Sequence, residues 1–138
     1  MYKQILLIDD DKDEHELFNG ALETIGNFRL ISAFSTDESL RVLRLAKPDL
    51  IFLDINMPAK NGFICLQEIK NLPDLSDIPV QMYSTSANEK DVKRALDLGA
   101  SGYVVKAGSF SELCKNLRKL LNTESKTESA NFQAGSSN

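Results

Sequence analysis

The sequence lacks three features that would each indicate a functional class directly. Its 16 Lys and Arg residues are outnumbered by 20 Asp and Glu residues, and the net charge of -4 argues against a nucleic-acid-binding surface. No apolar run comes near the roughly 18 residues that a membrane span requires. The first residues do not form a signal-peptide pattern. We therefore expect a cytoplasmic protein that binds neither nucleic acid nor a membrane.

Cysteine is also scarce. The two cysteines, Cys65 and Cys114, do not have the spacing of a metal site and both fall in predicted helices, so we interpret them as free thiols in a reducing compartment. The content of 42% hydrophobic and 26% charged residues is ordinary for a globular protein of this size. We expect one folded domain over residues 1–122 and a disordered polar tail over residues 123–138.

The sequence does contain a regular alternation of apolar runs and amphipathic stretches. Leu50 to Leu53 form an unbroken apolar run that is closed by Asp54, which is typical of a strand buried on both faces. Four other runs of strand length are Gln4 to Ile8, Phe28 to Phe34, Val80 to Ser84 and Ser101 to Val105. A stretch with helical spacing follows each run, which predicts five strand–helix units.

Capping signals predict where the helices begin. Three Ser-x-x-Glu capping boxes start at Ser35, Ser86 and Ser109. In the helix that follows Ser86, we expect Val92, Ala95 and Leu96 to face inward. The remaining two helices are predicted from Asp11 to Ile25 and from Gly62 to about Leu72. The single histidine, His15, is interpreted as a solvated residue of the first helix that is neither a ligand nor a phosphate carrier.

Five strand–helix units predict a parallel sheet that is covered by helices on both faces. The carboxyl ends of the strands then bring Asp9, Asp10, Asp54, Ser84 and Lys106 to one edge. Three clustered carboxylates repel one another without a cation, and oxygen ligands suit Mg²⁺. A carboxylate beside a divalent cation, an ammonium and a hydroxyl is a nucleophile toward phosphorus. The residues therefore predict an aspartyl-phosphate site.

The sequence resembles the receiver domain of two-component response regulators from Lys3 to about Leu121. The motifs that carry this resemblance are Leu7-Ile8-Asp9-Asp10, Leu53-Asp54-Ile55-Asn56-Met57-Pro58 with Gly62, Tyr83-Ser84-Thr85, and Gly102-Tyr103-Val104-Val105-Lys106. The resemblance implies a flavodoxin-like, doubly wound (βα)5 fold whose parallel strands have the order 2-1-3-4-5. Among receivers, the sequence resembles the stand-alone, CheY-like bacterial type, because we expect no output domain after residue 122.

The resemblance also implies a role for each site residue. Asp54 accepts a phosphoryl group from a sensor histidine kinase or a histidine phosphotransfer protein. Asp10, Asp54 and the backbone carbonyl of Asn56 bind Mg²⁺, and Asp9 acts through a water. Lys106 is the essential ammonium.

The same resemblance implies how the signal leaves the site. Ser84 is the switch hydroxyl, and Tyr103 swings inward when Ser84 moves. This motion reshapes the surface of the fourth helix, fifth strand and fifth helix for an unidentified downstream protein. Asn56 and Ser86 tune the phosphoryl lifetime. A homodimer through the same surface is left open.

One position departs from the family pattern. Receivers usually have Pro after the lysine, often with a cis bond, whereas Ala107 follows Lys106 here. A cis bond before a residue other than Pro costs roughly 2.5 to 4 kcal/mol, so we expect a trans bond. Gly108 supplies backbone freedom in the same loop.

Two alternative classes of function remain open. The first is a receiver-like binding module that is never phosphorylated, or a flavodoxin-type cofactor binder; the acids after the first strand would repel a flavin phosphate. The second is an aspartyl-nucleophile phosphatase of the haloacid-dehalogenase kind, which needs a second Asp where Asn56 stands. We therefore expect no enzymatic activity beyond phosphoryl uptake and autodephosphorylation.

Overall fold

Strands and helices alternate along the chain in a computed structural model that describes residues 3–106 and 108–122. The strands are β1 (Gln4–Ile8), β2 (Arg29–Ala33), β3 (Leu50–Asp54), β4 (Val80–Ser84) and β5 (Gly102–Val105). The helices are α1 (Lys12–Ile25), α2 (Thr36–Leu45), α3 (Gly62–Lys70), α4 (Glu89–Asp97) and α5 (Phe110–Asn122). The expectations for the 123–138 tail and for the bond to Ala107 fall outside the described residues.

The five strands form one parallel sheet in the order β2-β1-β3-β4-β5, which confirms the predicted flavodoxin-like fold. β3 lies at the centre and all of its residues are buried, as its unbroken apolar run indicated. In the register of the sheet, Asp54 at the end of β3 pairs with Tyr83 of β4, and Tyr83 pairs with Val104 of β5. The register therefore aligns the strand ends along one edge.

The strands send alternate side chains into two separate cores, because successive residues of a strand point to opposite faces. One core packs the sheet against α1 and α5, and the other packs it against α2, α3 and α4. Cys65 and Cys114 lie one in each core and both are free, as predicted. Within the described ranges, no helix has both the length and the apolar character needed to cross a membrane.

Two of the three predicted capping boxes begin helices, and the third does not. The hydroxyls of Ser35 and Ser109 accept hydrogen bonds of 3.1 Å from the backbone N–H groups of Glu38 and Glu112. The prediction at Ser86 is wrong: Asn88 caps α4, and its side chain accepts a hydrogen bond from the N–H of Lys90 at 2.8 Å. Ser and Asn are equally good caps, so the local sequence did not distinguish between the two.

The prediction that Leu96 faces inward is also wrong. Ala95 is fully buried, Val92 is half-buried, and the side chain of Leu96 is 49% exposed. On a helix, Leu96 lies about 100° round from Ala95, and the small side chain of Ala95 is the one turned toward the core. A further contact ties α4 to α3, because the guanidinium of Arg94 lies 4.3 Å from the ring centroid of Phe63.

Gly62 closes the loop that follows β3. Its N–H donates a 2.8 Å hydrogen bond to the carbonyl of Ile55. A Cβ atom at this position would lie 2.7 Å from the Cα of Ile55 and would overlap the carbonyl oxygen of Asp54. Only glycine permits this approach of two backbone segments. The loop is thereby folded back against the end of β3, where Asp54 lies.

Candidate phosphoryl-acceptor site

The carboxyl ends of β1, β3 and β5 bring three acids and one lysine together. One carboxylate oxygen from each of Asp9, Asp10 and Asp54 lies within 4.8 Å of the other two. The ammonium of Lys106 lies 2.9 Å from Oδ2 of Asp9 and 3.6 Å from Oδ1 of Asp54. The structure therefore places these four predicted residues in one cluster at the edge of the sheet.

An open cleft lies over this cluster. The residues that line it are Asp9, Asp10, Asp11, Asp54, Asn56, Thr85 and Lys106. Asp11 and Thr85 were not predicted to be site residues, although each directly follows a residue that was. Ser84 is fully buried and does not line the cleft. A molecule in the cleft would meet Thr85 before it met the hydroxyl of Ser84.

Asp9 is held by contacts at each of its polar groups. Its N–H donates to the carbonyl of Ala33 at 3.1 Å, and its carbonyl lies 2.8 Å from Nε2 of His15. Its Oδ1 accepts from the N–H of Asp11 at 2.9 Å, and its Oδ2 accepts from Lys106. The side chain of Asp9 is buried, whereas Asp10 is exposed. Both carboxylate oxygens of Asp9 therefore already have partners, whereas the carboxylate of Asp10 is open to solvent.

The interpretation of His15 as a solvated residue is wrong, because it is 6% exposed. Its Nδ1 lies 2.8 Å from Oγ of Ser32, and its ring centroid lies 4.2 Å from that of Phe34. A carbonyl only accepts hydrogen bonds, so Nε2 donates to Asp9, and in the neutral ring Nδ1 accepts from Ser32. Both nitrogens have partners, which makes burial possible. The spacing of His15 from Phe18 on the same helical face was the signal that sequence reasoning missed.

The electrostatics of the cluster make Asp54 an unusual carboxyl group. Burial, followed by the negative charge of Asp9, raises the pKa of Asp54 from 3.8 to about 6. The positive charge of Lys106 and the backbone N–H of Asn56 act in the opposite direction, and Asp10 raises the pKa further. Burial by itself would lower the pKa of Lys106, but the hydrogen bond that its ammonium donates to Asp9 and the negative charges of Asp54 and Asp9 raise it overall.

The raised pKa of Asp54 predicts a pH-dependent stability in the metal-free protein. The folded pKa lies above the unfolded value of 3.8, so protonated Asp54 favours the folded state. This contribution is complete below pH 3.8 and is lost as the pH rises through about 6. At pH 7.5, Asp54→Asn should be the more stable protein by up to about 3 kcal/mol, and the difference should vanish near pH 4.

Urea unfolding in EDTA, from pH 4 to pH 7.5, measures this difference. Asp13→Asn, an exposed residue outside the cleft, is the control and should follow the wild type. Parallel pH profiles for the wild type and Asp54→Asn would show that the ionised carboxylate does not destabilise the fold.

The residues predicted to carry the switch are connected behind the cleft. The hydroxyl of Ser84 accepts a 3.1 Å hydrogen bond from the N–H of Ser86. The hydroxyl of Tyr103, which is half-buried, donates a 2.8 Å hydrogen bond to the carbonyl of Ser86. Residue 86 therefore links the end of β4 to the aromatic side chain of β5. The roles of these three residues in switching stay predictions.

The donor set fits a hard divalent cation. Three convergent carboxylates beside one ammonium leave the cluster with excess negative charge. Asn56 borders the same cleft, so oxygen donors predominate around it. Carboxylate and carbonyl oxygens are the ligands that Mg²⁺ and Mn²⁺ take in proteins.

Comparison with known proteins agrees with this geometry. The family model described as the response regulator receiver domain matches residues 5–118. The probable transcriptional regulator ycf27 of Cyanophora paradoxa is 33% identical over 136 residues, which cover 99% of this chain and 54% of that protein. This chain thus spans about half the length of several curated relatives that it matches. The response regulator Rcp1 of Synechocystis sp. is 35% identical over 130 residues, 82% of each chain.

Solved structures of similar proteins have the same fold. The phosphorylated cyanobacterial phytochrome response regulator RcpA matches with a TM-score of 0.82 and 31% identity, over 94% of this chain and 98% of that one. The Mn²⁺-bound form of Rcp1 matches with a TM-score of 0.77 and 32% identity, over 92% of this chain and 97% of that one. The chain therefore belongs to the response regulator receiver domain family of two-component systems, as the motifs indicated.

Proposed function

We propose that this receiver accepts a phosphoryl group on Asp54 and signals through protein contacts that depend on it. The observation that carries the proposal is the position of Asp54. It is a buried carboxylate at the floor of an open cleft, 3.6 Å from the ammonium of Lys106 and clustered with two further acids. Such a carboxylate has a nucleophilic oxygen at the cleft and an adjacent positive charge for the group it would receive.

The donor in this proposal is a phosphohistidine on a sensor histidine kinase or a histidine phosphotransfer protein. An oxygen of ionised Asp54 attacks phosphorus and forms the new P–O bond while the P–N bond to the imidazole breaks. The electron pair of the P–N bond returns to the imidazole, which takes a proton from solvent and leaves neutral. Lys106 compensates negative charge on the phosphoryl oxygens throughout.

Asp10, Asp54 and the backbone carbonyl of Asn56 are the residues that we propose to hold Mg²⁺. Bound there, the cation supplies further charge compensation for the phosphoryl group. Both oxygens of Asp9 already accept hydrogen bonds, from Asp11 and Lys106, so Asp9 would contact the cation through a water. The Mn²⁺-bound form of Rcp1 supports the choice of a divalent cation.

The output in this proposal is a change of the surface formed by α4, β5 and α5. The hydroxyl of Ser84 turns toward the phosphoryl group, which frees the N–H of Ser86 and moves the turn that Tyr103 contacts. Asn56 borders the cleft, and Ser86 directly follows Thr85, which also borders it. We propose that Asn56 and Ser86 tune the phosphoryl lifetime. The recipient is an unidentified downstream protein or a second copy of the chain bound through this surface.

The setting of the reaction is also a proposal. Phosphohistidine donors of this kind act in the cytoplasm, so we place the receiver there. The relatives Rcp1 and RcpA, the second of which is a phytochrome response regulator, make a phytochrome-type sensor kinase the first donor to test. The chain would catalyse only its own phosphoryl uptake and autodephosphorylation.

Intact-mass spectrometry after incubation with acetyl phosphate, with and without Mg²⁺, tests the proposal. We expect a Mg²⁺-dependent gain of one phosphoryl group, together with changed hydrogen exchange in α4, β5 and α5 of the same sample. No gain under any condition would favour a binding module that is never phosphorylated. Release of inorganic phosphate over many turnovers, without accumulation of the phosphoprotein, would favour a phosphatase.

A further inference from the structure

Tyr83 places an aromatic ring beside the lysine of the site. It belongs to β4, where the register pairs it with Asp54 on one side and Val104 on the other. Its ring centroid lies 5.2 Å from Nζ of Lys106. A cation this close to the face of a tyrosine ring is attracted by the ring's electron density, and the attraction grows when water is excluded. The ammonium thus has a third partner besides Asp9 and Asp54.

The ring of Tyr83 is fixed in place by its surroundings. The side chain is 2% exposed, and its ring makes edge contacts with those of Phe18 and Phe52 at centroid distances of 5.7 and 6.1 Å. Its hydroxyl lies 3.4 Å from Oε1 of Glu14 in the first turn of α1. Contacts with two rings of the core and with the carboxylate of Glu14 therefore hold both the ring and the hydroxyl of Tyr83 in place.

Lys106 itself needs such support. A lysine side chain is a flexible four-carbon stem, and its ammonium can point in many directions. Here the ammonium lies 2.9 Å from Asp9 but 3.6 Å from Asp54, so the acid that we propose as acceptor has the weaker hold on it. A rigid ring beneath the ammonium limits the directions that remain and keeps the charge at the cleft.

We propose that Tyr83 is a positioning residue, whose ring holds the ammonium of Lys106 beside Asp54 in the geometry that phosphoryl transfer uses. This inference rests on the proposed function, because it assigns Lys106 to the incoming phosphoryl group. The proposal assigns different roles to the ring and the hydroxyl of Tyr83. The ring face acts on Lys106, whereas the hydroxyl only anchors the ring to Glu14.

Substitutions that separate ring from hydroxyl test this division. Tyr83→Leu removes the ring, and Tyr83→Met is a second ringless variant that fills the core with an unbranched side chain. With saturating acetyl phosphate and Mg²⁺, both should lower the rate constant of uptake about tenfold, as the loss of a partly desolvated cation–π contact implies. Tyr83→Phe keeps the ring and should stay within about twofold of the wild type. The acetyl phosphate concentration at half-maximal rate should change little.

Two controls show whether the ring acts through Lys106. In a Lys106→Ala background, adding Tyr83→Leu should cause no further loss of the residual uptake, because the contact is already gone. Phe18→Leu removes a neighbouring ring of the same core without touching Lys106 and should leave uptake near the wild-type rate. Equal losses with Tyr83→Leu in both backgrounds, or an equal loss with Phe18→Leu, would overturn the proposal.

A spectroscopic test is independent of phosphorylation. In the unphosphorylated protein, the ring should shield the Hε protons of Lys106, and NMR should show an upfield shift that Tyr83→Phe keeps and both ringless variants lose. If the wild type takes up no phosphoryl group, the proposed function fails while this shift still decides whether the ring holds Lys106. Unchanged Lys106 shifts in the ringless variants, or wild-type uptake rates in them, would refute the positioning role.

Discussion

Asp54→Asn is expected to abolish the gain of a phosphoryl group from acetyl phosphate in the presence of Mg²⁺. An amide has nearly the same shape as a carboxylate, so the change removes the nucleophilic oxygen and the charge and leaves the buried site filled. Because the substitution removes a buried charge and its repulsion from Asp9, the metal-free variant should fold at least as stably as the wild type at neutral pH. If the variant is stable and takes up no phosphoryl group, the missing carboxylate, and not unfolding, is the cause.

The matched control is Asp11→Asn. Asp11 lines the same cleft, and its side chain caps α1 by accepting a 2.9 Å hydrogen bond from the N–H of Asp13, which an asparagine also accepts. Uptake should persist in this variant, and peptide mapping of the wild type should place the phosphoryl group on Asp54. Uptake by Asp54→Asn at the wild-type rate would disprove the assignment of the acceptor.

Asp10→Asn is expected to weaken Mg²⁺ binding by about 100-fold or more. Substitution of residues that merely support metal ligands costs roughly 10 to 100-fold in affinity, and Asp10 is proposed to be a ligand itself. Within residues 3–106 and 108–122, its exposed carboxylate makes no hydrogen bond or ion pair comparable to those of Asp9, so the fold should tolerate the change. Mg²⁺ titration by calorimetry or NMR measures the affinity without any phosphoryl donor.

Asp13→Asn serves as the control for this experiment, since Asp13 is an exposed acid of the first turn of α1 that does not line the cleft. It removes the same charge near the site and should change the affinity by less than about threefold. The uptake rate of Asp10→Asn should recover when the Mg²⁺ concentration is raised. A Mg²⁺ affinity equal to that of the wild type would show that Asp10 is not a ligand of the cation.

The sequence by itself determined the order of strands and helices and the place of the acids. Apolar runs that end in Asp9, Asp54, Ser84 and Lys106 predict a parallel sheet with chemistry at one edge, because all parallel strands finish on the same side. This inference needs only local periodicity and one topological rule. The predicted elements accordingly match the observed ones in order, and their bounds agree to within about two residues except at the start of α4.

The tertiary structure decided which partners these residues take. His15 can be buried because Ser32 and the carbonyl of Asp9 satisfy both of its nitrogens. Ser32 belongs to β2, and Asp9 directly follows β1. Lys106 lies closer to Asp9 than to Asp54, and the ring of Tyr83 lies beside its ammonium. Such contacts depend on register and side-chain direction across different strands, and no local pattern in the sequence encodes them.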